Sequence, residues 1–165
     1  MFLMKKFIFL ATTIAFLSYR CTDSTQNEDN GKGGWLKGTT SEKFDVVAKQ
    51  LRGFDMTMVE TGYRYQELYW AGQDENWGYA NYQLEKIQKT IENGLERRPK
   101  RGKSAEIFLN SSFPEMASAI NKKDLKSFDT AFILFTNACN NCHVKEEVPF
   151  FSVEPPVNRL SPIRR

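Results

Sequence analysis

Residues 124–143 read DLKSFDTAFILFTNACNNCH, and their spacing decides the fold. Leu125, Phe128, Phe132, Phe135, Cys139 and Cys142 follow one another at alternating steps of three and four. That is the period of one helix face, not the period of two that marks a strand. Asp124 stands where its carboxylate can cap the first turn. Working backwards, Phe44, Val47, Leu51, Phe54, Met58, Thr61, Tyr65 and Leu68 keep the same alternation. They predict one long helix, capped by Ser41 and stopped at Gly72. Trp77, Ala80, Leu84, Ile87, Ile91 and Leu95 predict a second, starting near Asp74 and closed by Pro99 in the basic run from Arg97 to Lys103. That run reads as solvated loop. Ile107, Phe108, Met116, Ala117 and Ile120 mark a third stretch, which Pro114 divides into two short helices. No strand pattern of comparable quality appears. The expected fold class is all-α, an antiparallel four-helix bundle.

Beyond residue 147 the chain changes character. Pro149, Pro155, Pro156 and Pro162 predict an extended tail over 148–165, with Phe150, Phe151 and Val153 packing back on the bundle. Before residue 41 the chain is polar and glycine-rich. Residues 21–40 read as a flexible tether, with Trp35 and Leu36 as apolar exceptions that could dock. The helical domain is therefore expected over 41–147.

Residues 1–20 form a different unit. Lys5 and Lys6 precede an apolar run, Phe7 to Leu17, that is too short to span a bilayer. This is the pattern of a secretory signal peptide. Cys21 and a polar run follow, which resembles a lipoprotein start with an acylated cysteine, although Arg20 stands where such signals prefer a small residue. A tether through Cys21 and an unlipidated exported protein are both open. Localisation is expected outside the cytoplasm, in the periplasm or facing it from a membrane anchor.

Charge narrows the partners. The whole chain carries 23 basic and 20 acidic residues; without Lys5, Lys6 and Arg20 it balances at 20 of each. A neutral mature chain gives no electrostatic reason to expect nucleic acid. A single histidine excludes bis-histidine haem, two-histidine iron sites and most catalytic zinc sites.

The chemistry concentrates in Cys139-Asn140-Asn141-Cys142-His143, a C-x-x-C-H sequence, the attachment signature of c-type haem. Two intervening residues put both sulfurs on one side of a helical turn, within reach of two vinyl groups. His143 follows where an imidazole can take the iron as proximal ligand. The only histidine of the chain occupies that position. A thioredoxin-like thiol pair would want a βαβ unit, and a structural zinc site a fourth ligand; neither is in view.

The motif's place near the end of the last helix, in Ala138-Cys139-Asn140-Asn141-Cys142-His143, resembles the class II c-type cytochromes, the cytochrome c-prime-like four-helix bundles. Ala71-Gly72, Asn76-Trp77, Ala80 and Tyr82 add a weaker likeness to exported haem proteins. The resemblance covers about residues 42–156 and implies haem c in a helical bundle, serving electron transfer or small-gas binding. It also implies a first-helix residue on the distal side of the iron. Met58, on the predicted core stripe, is the first choice, then Met56 and Met116, with an open fifth-ligand-only iron as the alternative. A methionine on such a stripe is also ordinary packing material.

The expected function is one-electron transfer to and from other exported redox proteins, with no catalytic residue assigned and the oligomeric state open. A gas-binding haem protein and a haem-free thiol or interaction module are the alternatives. Phe128, Phe132 and Phe135 read as core, Tyr63, Tyr65, Tyr69 and Trp70 as aromatic packing, and Arg52 and Arg64 as potential propionate partners or plain surface.

Overall fold

The computed structural model describes residues 29–163. Residues 1–20 and Cys21 lie outside them, so the signal and lipidation expectations have no structural counterpart. The described residues divide into two units, 29–51 and 52–163.

In the first unit, Asn30 and Leu36 exchange backbone hydrogen bonds of 2.9 and 2.8 Å across a tight loop. Gly31 holds a φ of +82°, and the Trp35 indole lies where a Cβ on Gly31 would sit. Helix α1, Thr40–Gln50, follows. Its cap is Thr39, not Ser41: Thr39 and Glu42 form a reciprocal capping box.

The long first helix predicted from Phe44 to Leu68 is broken. Arg52 adopts a φ of +58° and Gly53 is extended, so α2 starts afresh at Phe54 and runs to Gln73. Phe44, 69% exposed, and Leu51, 56% exposed, are not core residues. The period of three and four passes through the break unchanged because one left-handed residue alters the path of the chain and not the order of its side chains.

In the second unit, α2 is followed by α3, Trp77–Arg97. Asn76 caps α3 through Tyr79 N, 3.2 Å away, and Asp74 does not. Helix α2 ends past Gly72, with Glu75 in the left-handed region. A 3₁₀ turn at Pro99–Arg101 leads into the short α4, Gly102–Ile107. A π-turn over Phe108–Ser112 then joins α5, Phe113–Lys122. Pro114 lacks an N–H, and the wider turn, closed by Phe113 N to Phe108 O, carries the chain past it. Ile107 is exposed, against expectation, while Phe108, Met116 and Ile120 are buried. Finally α6 runs over Leu125–Lys145, capped by Asp124, whose carboxylate accepts from Ser127 N at 2.8 Å.

The fold is all-α. Helix α2 packs along α3, α5 bridges α3 and α6, and α2 touches α6. Phe128, Phe132 and Phe135 are fully buried at the centre with Leu68, Ile87 and Met116. The Phe132 ring lies tilted against Tyr65 at 4.8 Å and Tyr69 at 5.1 Å. Each such pair adds about 0.5–1.5 kcal/mol beyond area burial. Among the described residues no helix is long and apolar enough to cross a membrane.

Candidate functional site

Helix α6 ends in an arrangement that its sequence sets up. Glu146 N bonds Cys142 O, Glu147 N bonds Val144 O, and Val148 N bonds His143 O. With Glu147 at a φ of +61°, this is a Schellman cap, built here without glycine. It reverses the chain immediately after the motif. A turn closed by Phe151 N to Val148 O then brings the Phe151 carbonyl back to His143. The His143 Nδ1 atom lies 2.5 Å from Phe151 O. A carbonyl can only accept, so Nδ1 is the donor and Nε2 stays outside this bond.

Asn140 secures the same return. Its side-chain amide donates to Val153 O at 2.9 Å and accepts from Val153 N at 2.7 Å. Val153 packs on the core; Phe150 and Phe151 do not, being 73% and 62% exposed. Further along, Arg159 grips Asp74 with two bonds of 2.6 and 2.8 Å, donates to Trp70 O, and lies 4.7 Å from the Trp70 ring. Asp74, the C-cap residue of α2, thus anchors the tail and is not the N-cap of α3.

Cys139 and Cys142 are free thiols on the last turns of α6. Cys139 packs against the core. Its burial, and then the neighbouring Cys142, push its thiol up to about 12. Cys142 is also raised, by burial first and Glu146 second, with Lys145 and Arg101 opposing. Arg101, from the run expected to be solvated loop, pairs with Glu146 and lies over the Phe54 ring at 5.5 Å. Arg97, from the same run, donates to Thr57 at 3.1 Å.

Tyr65 Oη meets Thr136 Oγ1 at 2.7 Å, and Gln73 donates to Asp129 at 2.7 Å. Numbers therefore rise along α2 as they fall along α6. Met58 stands seven residues before Tyr65, and His143 seven after Thr136, so this register brings the two to one level. Met58 is half-buried and packs on the core, Met56 points outward, and Met116 is sealed in the core on α5. The Thr61 hydroxyl, on the Met58 face of α2, is buried and has no hydrogen-bond partner among the described residues.

Arg52 pairs with Asp55 at 2.6 Å, and Arg64 with Glu60 at 2.9 Å, so both guanidinium groups are already engaged. A cleft of about 260 Å³, lined by residues of α3 such as Leu84 and of α5 such as Phe113, involves none of the motif residues. Among the described residues, no three or more His, Cys, Asp or Glu side chains gather to hold a bare metal ion. Sequence reasoning missed Arg101, Phe151 and Arg159. Phe151 acts through its backbone carbonyl, which leaves no signature in residue type.

No family model matches the chain, and comparison with curated proteins and with solved structures likewise returns no match.

Proposed function

We propose that this chain is an exported monohaem c-type cytochrome of the class II kind, its helices α2, α3, α5 and α6 forming an antiparallel bundle. Cys139 and Cys142 would hold haem c by thioether bonds, and His143 would be its proximal ligand. The observation that carries this is the His143 imidazole tied by Nδ1 to the Phe151 carbonyl, beside two free thiols one turn apart. A metal-ligating histidine characteristically donates its other ring N–H to such an acceptor.

The donor set fits the group. Two thiols outside any disulfide, and one imidazole whose Nε2 is not taken up by the Phe151 bond, are the groups haem c attachment uses. The raised thiols also weigh against a redox pair. Disulfide oxidoreductases lower a cysteine pKa, often at a helix N-terminus, whereas Cys139 and Cys142 sit at the C-terminal end of α6, where the dipole opposes a thiolate.

When bound, haem c supplies a one-electron ferric–ferrous couple. The chain's own part is to orient His143, to cover the group with apolar surface and to limit water. The exposed rings of Phe150 and Phe151 offer such surface beside the motif. The shared level of Met58 and His143 supports Met58 as the distal ligand, which would favour a higher potential and electron transfer over gas binding. Donors and acceptors would be other exported redox proteins, and Cys21 remains the candidate membrane tether.

The test is export from a host competent in haem attachment, followed by pyridine haemochrome, intact mass and optical spectra. One covalent haem, lost in Cys139→Ser and Cys142→Ser, is expected. A colourless protein of unmodified mass would overturn the assignment and leave a thiol pair. In Met58→Ala, loss of a methionine–iron band near the red edge and gain of fast carbon monoxide binding are expected; an unchanged spectrum would remove Met58 as ligand.

A further inference from the structure

We infer that the C-terminal tail is a positioning strap for His143, with Asn140 as its clamp. This rests on the haem assignment above and extends it to residues outside the attachment signature. The juxtaposition is the two-point pairing of the Asn140 amide with the Val153 backbone, two residues beyond the Phe151 carbonyl that holds His143 Nδ1.

An amide pairing both backbone groups of one residue fixes that residue in position and orientation, as a neighbouring strand does. Val153 is held from the second side by its packing on the core. The segment between His143 and Val153 is closed by the Val148 N to His143 O and Phe151 N to Val148 O bonds. The Phe151 carbonyl therefore has little freedom to leave the imidazole. Farther along, Pro155 and Pro156 keep the tail extended. Arg159 ties its far end to Asp74 and Trp70 on the other end of α2. Asn140 thus acts through Phe151: a positioning residue, in one of the two places the attachment chemistry leaves unspecified.

The consequence is electronic. A strong Nδ1–H bond gives the imidazole more donor character, which favours ferric iron and lowers the potential. Releasing the strap should raise it. Asn140→Ala is expected to keep one covalent haem by pyridine haemochrome. Its potential should rise by about tenfold in the redox equilibrium, ~59 mV for one electron. Hydrogen exchange at the Val153 amide should accelerate in the same variant. Asn141→Ala, at the exposed neighbouring position, should leave both readouts unchanged. Arg159→Ala should move the potential the same way by less, and it serves where Asn140→Ala does not accumulate.

A faster Val153 exchange with an unmoved potential would overturn the inference and leave the strap a stability device, with the haem assignment intact. A wild-type protein without covalent haem would overturn the haem assignment itself, and the inference with it.

Discussion

Glu147 occupies the position after the α6 cap that most often belongs to glycine. Its φ of +61° brings its Cβ close to the neighbouring carbonyl oxygen, a cost glycine does not bear. Glu147→Gly is expected to stabilise the protein by about 0.5–1 kcal/mol in urea titrations, leaving the Schellman bonds in place. The two thiols differ in a measurable way. Cys139 packs against the core and is pushed up to about 12; Cys142 is half-buried and raised for the same principal reason. In haem-free protein at pH 8, iodoacetamide should modify Cys142 well before Cys139, as peptide masses would show. Equal rates would mean that Cys139 is not held against the core.

The contact between α2 and α6 depends on a missing side chain. A Cβ on Gly72 would lie 2.1 Å from the Phe128 ring, inside any permitted separation. Phe128 is fully buried and cannot swing away. Gly72→Ala should therefore cost about 2–3 kcal/mol, despite alanine's better helix propensity. Gly78, on the first turn of α3, has open space beside it, and Gly78→Ala should be neutral or mildly stabilising in the same denaturation assay. The sequence puts the helix stop at Gly72, which instead lies inside the last turn of α2. Its role as the seat of Phe128 was not legible, because periodicity describes one helix face and carries no record of what lies against it.

One buried phenol, Tyr65, and one partly buried, Tyr79, make the fold sensitive to alkali. Burial is the main reason Tyr65 is pushed up to about 12. Tyr79 rises to about 12 through burial and the nearby Glu67, to which its hydroxyl donates at 2.7 Å. Each group keeps its proton in the folded state up to about pH 12 and loses it near 10 when unfolded. Between those values the folded state binds more protons, so stability falls as pH rises, while below pH 10 these groups contribute no slope. Tyr65→Phe should flatten the decline above pH 10 while costing about 1 kcal/mol at neutral pH for the lost bond to Thr136. The tail gives a second test of the assembled molecule. Arg159→Ala removes a bidentate, half-buried ion pair and should speed proteolysis within residues 150–163 while leaving the helices protected.

Some of this was written in residue type and spacing alone. The all-α class, the burial of Phe128, Phe132 and Phe135, the Asp124 cap and the grouping of Cys139, Cys142 and His143 all follow from neighbours three and four apart on one helix, where the relevant interactions are local. The break at Arg52, the caps at Thr39 and Asn76, and the anchoring of Arg159 on Asp74 required the folded chain. So did the acceptor for His143, since a backbone carbonyl at residue 151 is identical whatever side chain accompanies it. Which residues meet across a long sequence separation is decided by packing and by the last hydrogen bonds left to satisfy, and a local period contains neither.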